Sequence, residues 1–126
     1  MTPSRPSLAA VIVTYNRREK LEKVLAALAA QTRAPEEIIV VDNASDDGTA
    51  EMLAARAGPG LRHLRLEENI GGAGGFNAGL RAAHEAGHHL FWLSDDDAYP
   101  EPEAIGRLET ALAEFERRHA RRPAFA

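Results

Sequence analysis

Three consecutive carboxylates, Asp95, Asp96 and Asp97, close a short apolar run, Leu90-Phe91-Trp92-Leu93-Ser94. Adjacent acids repel one another, so a folded protein compensates them or leaves them in water. A divalent cation supplies one compensation, because hard cations take oxygen ligands and are often the largest local charge in a site. A solvated acidic turn is the other reading. Residues one apart, Asp95 and Asp97, can turn toward one ion while Asp96 faces elsewhere. Magnesium or manganese held by one or two carboxylates and substrate phosphates is the usual arrangement. Such an ion stabilises a departing diphosphate, which suggests displacement at a carbon bearing a nucleoside diphosphate.

Other polar residues carry chemistry of the same kind. Asp42 ends a second apolar run, Glu37-Ile38-Ile39-Val40-Val41. An ionised carboxylate there can accept hydrogen bonds from a base or a ribose. Tyr15 can cover a flat ring, or can only fix a turn. Asn16 stands beside it, and Asn69 opens a glycine-rich stretch, Gly71, Gly72, Gly74 and Gly75, that leads to Phe76 and Asn77. The glycines do not follow the first strand, and no Lys-Ser/Thr pair accompanies them, so neither a dinucleotide fingerprint nor a P-loop is present. The stretch reads as a loop that lets backbone approach a ligand at a helix N-terminus, or as a flexible connection.

The elements that position these residues alternate along the chain. Leu8 to Thr14 is a continuous, β-branched apolar run, the mark of a strand buried on both faces. Leu21, Val24, Leu25 and Leu28 then repeat with helical period. After the strand ending at Asp42 comes a helix through Met52 and Leu53, stopped at Gly58-Pro59-Gly60. Leu61 to Leu66 is a weaker, more exposed strand, followed by a helix on Phe76, Leu80 and Ala83 that closes near Gly87. Leu90 to Ser94 reads as a buried strand. Pro100 and Pro102 fit the start of a last helix whose buried stripe is Ile105, Leu108, Leu112 and Phe115, with Glu109, Glu114 and Glu116 on its solvent face.

The order β-α-β-α-β-α-β-α predicts an α/β fold, a parallel sheet of about four strands with helices on both faces. The unusual polar residues all follow strands, so they share one sheet edge, where open α/β sheets bind ligands. That convergence favours a site over a chance acidic turn. Residues 1–7 read as a disordered leader, 8–119 as the domain and 120–126 as a tail.

Composition excludes several classes. The chain has 126 residues, 44% hydrophobic and 27% charged, as expected of one globular domain. It has no cysteine, which rules out disulfides and thiolate metal sites. A formal charge of -4 gives no footprint for nucleic acid. With no apolar run of membrane-spanning length, a cytoplasmic site of action is the default. The basic run from Arg117 to Arg122 reads as a helix end or as a contact with an anionic membrane surface. His63, His84, His88 and His89 lack metal-ligand spacing and read as surface or half-buried residues.

Four stretches carry a resemblance. They are Ala10-Val11-Ile12-Val13-Thr14-Tyr15-Asn16-Arg17, Val41-Asp42-Asn43-Ala44-Ser45-Asp46-Asp47-Gly48-Thr49, Asn69 to Gly79, and Asp95-Asp96-Asp97. Together they resemble family 2 glycosyltransferases of the GT-A fold, most like the galactofuranosyltransferase and rhamnosyltransferase-like branches. The resemblance implies a metal-dependent, inverting enzyme that moves a sugar from a uridine or thymidine diphosphate donor to a glycan or lipid-linked acceptor. It places Thr14, Tyr15 and Asp42 near the base and ribose, and Asn16, Asn69, Gly72, Gly75, Asn77, Asp95 and Asp96 around the donor. It makes Asp95 to Asp97 the metal-binding DxD motif, for Mn2+ or Mg2+. Where many relatives have a second acid that contacts the base, this chain has Asn43. Relatives also continue into an acceptor half with a general base, so this chain is expected to bind the donor without transferring the sugar. The alternative is a non-catalytic nucleotide-sugar-binding or regulatory remnant. A sugar nucleotidyltransferase would need a basic glycine loop after strand one, and a receiver domain an acidic pair there; both are missing. An open sheet edge would promote self-association.

Overall fold

The computed structural model describes residues 6–119. The elements are β1 (Leu8–Thr14), α1 (Arg18–Ala29), β2 (Glu37–Asp42), α2 (Thr49–Arg56), β3 (Leu61–Arg65), α3 (Gly71–Glu85), β4 (Leu90–Asp95) and α4 (Ala104–Arg118). The four strands form one sheet in the order β3-β2-β1-β4, and every neighbouring pair is parallel. The chain steps outward from β1 to β3 and then returns to the far side of β1. The strand order therefore reverses between β1 and β4, which places a crevice at their carboxyl ends.

Each face has its own core. On one, Leu8, Ala10, Ile12 and Val40 meet Leu21, Val24, Leu25 and Leu28 of α1, Leu53 of α2 and Ile105 of α4. On the other, Ala9, Val11, Ile39 and Val41 lie under Ala83 of α3. The expected α1 stripe is buried in full, and β3 is half-buried, as its weaker pattern indicates.

Four expectations are corrected. The glycine stretch is not a loop: α3 begins at Gly71 and runs through it. A Cβ on Gly75 would stand 2.6 Å from Val13 Cγ1, and one on Gly79 would collide with Val11. Each glycine costs a helix about 1 kcal/mol relative to alanine. Close seating of α3 on the sheet offsets that cost.

The strand β4 is not buried on both faces, since Phe91 and Leu93 are 37% and 49% exposed. It is an edge strand, and α3 lies mainly across β1 and β2, leaving the matching face of β4 only partly covered. The last helix starts at Ala104, after both prolines, and of its expected stripe only Ile105 is buried. Leu108, Leu112 and Phe115 are exposed because the helix leaves the sheet after its first turns. Finally, Glu109 is not on a solvent face but pairs with Arg33 Nε at 3.0 Å.

The expected leader meets the fold earlier than Leu8. Pro6 O accepts from Arg33 Nη2, and Ser7 O accepts from the backbone of His89 and Leu90. Residues 1–5 and 120–126, with the remainder of the basic run, lie outside the described residues. No helix among the described residues is long and apolar enough to cross a membrane.

Candidate functional site

Register brings the strand ends together. Thr14 pairs with Asp42 across β1 and β2, and Val13 pairs with Asp95 across β1 and β4. The three acids then part company. Asp96 is buried and accepts a hydrogen bond from Thr14 Oγ1 at 3.0 Å, while Asp95 and Asp97 are exposed. The inward turn of Asp96 stitches the acidic turn to β1, leaving two carboxylates at the surface. Arg17 Nη1 stands 3.4 Å from Asp96 Oδ1 and 3.2 Å from Asp97 Oδ2. A cation of the protein thus already rests on the acidic run.

The second strand end works differently. Asp42 is fully buried, with Oδ1 accepting from Ser45 N at 2.9 Å and Oδ2 from Arg65 Nη1 at 3.0 Å. It presents no surface to a ligand and serves as the clamp of the loop after β2. Asn43 is also buried, and both ends of its amide are in use: Nδ2 donates to Gly71 O at 3.0 Å, and Oδ1 accepts from Ile70 N at 3.2 Å. The residue that stands where relatives have an acid therefore pins the entry of α3. Asn69 adds a turn by accepting from Gly71 N at 2.9 Å. Asn16, in left-handed conformation at φ 49, links the first two loops through Ser45 Oγ and Asp46 N.

These pieces enclose an open cleft of about 470 Å³. Of the expected site residues, Thr14, Tyr15, Asn43, Asn69, Gly72, Asp95, Asp96 and Asp97 line it. Tyr15 forms an exposed aromatic wall, and a Cβ on Gly72 would meet nothing, so backbone there is open to an incoming group. Four expected residues do not line it. Asp42 and Gly75 are buried against the protein, Asn77 is exposed on α3 beyond the cleft, and Asn16 borders a neighbouring hollow with Asp47. Burial pushes the Asp47 carboxyl up, but the Thr49 hydroxyl and the N–H groups of Arg18 and Thr49 outweigh this and hold it below the ordinary value.

Arg17, with Val13 and Gly71, lines the cleft without having been singled out as a site residue. Its place directly after Tyr15 and Asn16 was the available signal. Among the described residues no cluster of three or more His, Asp or Glu side chains could hold a metal. Asp95 and Asp97 offer two carboxylate donors, which fits an ion completed by phosphate oxygens and water.

The model of glycosyl transferase family 2 matches residues 9–120. This chain belongs to that family. As a family 2 glycosyltransferase chain it is 41% identical over 106 residues to galactofuranosyltransferase GlfT1 of Mycolicibacterium smegmatis, covering 84% of this chain and 34% of that protein. The chain therefore spans about a third of the length of such relatives. Its fold is GT-A-like. Staphylococcus aureus TarS in complex with UDP-GlcNAc superposes with a TM-score of 0.70 at 27% identity, over 90% of this chain and 32% of that one. The mannosyltransferase PcManGT from Pyrobaculum calidifontis, in complex with GDP-Man and Mn2+, gives 0.69 at 27% identity, over 86% and 32%.

Proposed function

We propose that the cleft binds a nucleoside diphosphate sugar, and that this chain is the donor-binding part of a glycosyltransferase acting on a glycan or lipid-linked acceptor. The observation that carries the proposal is the meeting of Thr14, Tyr15, Asn69, Gly72, Asp95 and Asp97 around one cleft at a strand-order reversal. The solved complexes of TarS with UDP-GlcNAc and of PcManGT with GDP-Man support the ligand class. Likeness to a galactofuranosyltransferase supports a cell-wall or polysaccharide product.

In this reading Tyr15 covers the base, uracil or thymine, and Thr14 holds Asp96 in place for the donor. The diphosphate lies between the first turn of α3 at Gly72 and the carboxylates of β4, where N–H groups beyond the paired Gly71 N–H and the helix dipole favour an anion. Asp42 shapes the site from beneath without touching the donor, and Asn43 lines the cleft while holding the entry of α3. A manganese or magnesium ion held by Asp95 and Asp97 would supply Lewis-acid stabilisation of the leaving diphosphate. In the transfer, a bond forms from the acceptor oxygen to the anomeric carbon as the carbon–oxygen bond to the diphosphate breaks. Such a single displacement inverts the carbon and needs a base for the acceptor proton. Among the described residues the cleft holds no carboxylate besides Asp95 to Asp97. The purified chain is accordingly expected to bind donor and not to transfer it, which is also what a non-catalytic binding role requires.

Calorimetric titration with UDP and dTDP, with and without manganese, tests the proposal. Manganese should tighten binding by about tenfold, a difference of about 1.4 kcal/mol. Asp95→Ala with Asp97→Ala should abolish that gain. Binding indifferent to both metal and substitutions would overturn the metal site. Turnover of a UDP-sugar by the purified chain would overturn the binding-only expectation.

A further inference from the structure

We infer that Arg17 is the built-in counter-ion of the acidic turn, displaced when the donor arrives with its cation, so that it couples metal entry to nucleotide binding. The inference rests on the reading of the cleft as a diphosphate and cation site.

Arg17 occupies the N-cap of α1, and its carbonyl accepts the first helical bond from Leu21 N at 2.9 Å. The backbone is therefore held while the side chain, 48% exposed, is free to move. One nitrogen, Nη1, reaches Asp96 at 3.4 Å and Asp97 at 3.2 Å. Strong charge-assisted bonds run at about 2.7–2.9 Å and are often forked through two nitrogens. This contact is longer and uses one nitrogen, and its Asp97 half faces solvent, so the hold on Asp97 is weak and readily exchanged.

It nevertheless sits on Asp97, one of the two carboxylates offered to the ion. A divalent cation there competes with the guanidinium, since two positive centres on one carboxylate repel each other. Eviction leaves Arg17 on the wall of the same cleft. A planar guanidinium suits phosphate oxygens, which it can fork. The metal alone therefore works against Arg17, whereas metal and diphosphate together give it a new partner. Because such coupling is reciprocal, nucleotide should raise metal affinity as much as metal raises nucleotide affinity.

The test measures free manganese by electron paramagnetic resonance over the purified chain, with and without UDP. Arg17→Gln should bind manganese alone more tightly than the unmodified chain, by about three- to tenfold, while its manganese-dependent UDP affinity falls by a similar factor. Arg17→Lys, which keeps the charge without the fork, should restore weak binding of manganese alone but not the UDP affinity. Thermal melts of both variants should stay close to the parent, because the Asp97 contact is exposed and Asp96 keeps its bond from Thr14. If the parent binds manganese in the presence of UDP and Arg17→Gln binds manganese alone no better than the parent, the counter-ion role fails and the site stands. If neither chain binds manganese even with UDP, the metal site itself fails and the inference goes with it.

Discussion

The helices α1 and α4 carry the same kind of apolar stripe and meet different fates. Leu21, Val24, Leu25 and Leu28 of α1 are all buried, whereas of Ile105, Leu108, Leu112 and Phe115 in α4 only the first is. The cause is placement. The helix α1 lies along the sheet over Leu8, Ala10 and Ile12. The helix α4 is anchored at its start, where Gln31 donates to Glu101 O at 2.6 Å and accepts from Ile105 N at 3.1 Å, and then departs. Strands β1 and β4 differ in the same way, one enclosed by neighbours and the other at the edge. A periodic stripe names the face that can be buried. It does not name the partner that buries it.

The comparison is broken most directly by truncating one residue of each stripe. Leu28→Ala removes a fully buried side chain and should cost about 2–5 kcal/mol. Leu112→Ala, at 41% exposure, should stay within about 0.5 kcal/mol. Urea unfolding of both variants gives the two numbers. Equal losses would show that α4 is packed in solution as firmly as α1.

A smaller effect, readable through pH, tests what anchors α4. Arg33 is buried and pairs with both Glu36, at 2.8 Å, and Glu109, while Glu36 also accepts from Leu8 N at 2.7 Å. Burial pushes the Glu36 carboxyl up, but the bonds from Arg33 and Leu8 N outweigh it, leaving the group below the ordinary 4.5. Glu37 is likewise lowered: burial is outweighed by His88 and Arg62. A folded value below the unfolded one contributes stability that is present above pH 4.5 and is lost as pH falls through the folded value. Glu36→Gln should therefore flatten the fall in melting temperature below that pH. A variant as acid-sensitive as the parent would remove Glu36 from the account.

What was legible in the sequence follows the same division. Strands β1 and β2 and helix α1 are self-evident because their residues face neighbours made of the same apolar runs. The meeting of polar strand ends was legible too, since alternation alone implies a parallel sheet. Three features were not. The helical state of Gly71 to Gly79 depends on how closely Val11 and Val13 approach, a tertiary fact. The burial of Asp42 depends on Arg65, which lies on another strand. The pairing of Arg17 with Asp96 and Asp97 spans about eighty positions, and no local spacing announces it.

A change at the sheet edge sharpens the comparison furthest. Register places Phe91 and Leu93 opposite Ala9 and Val11, so both lie on the α3 face of the sheet, where α3 covers them only in part. An edge strand also presents unpaired N–H and C=O groups, a template for pairing with another chain. Phe91→Ser with Leu93→Ser removes side chains already 37% and 49% exposed, so it should cost less than Leu28→Ala. The same change should reduce self-association seen by sedimentation velocity. Asp95 follows Leu93 on that face and borders the cleft. Association through it would crowd the site, and UDP with manganese should shift the parent chain toward monomer. A double variant that unfolds as easily as Leu28→Ala would mean that this face is already covered within one chain. One that associates as strongly as the parent would move the contact to the α4 stripe, where Leu108, Leu112 and Phe115 are also exposed.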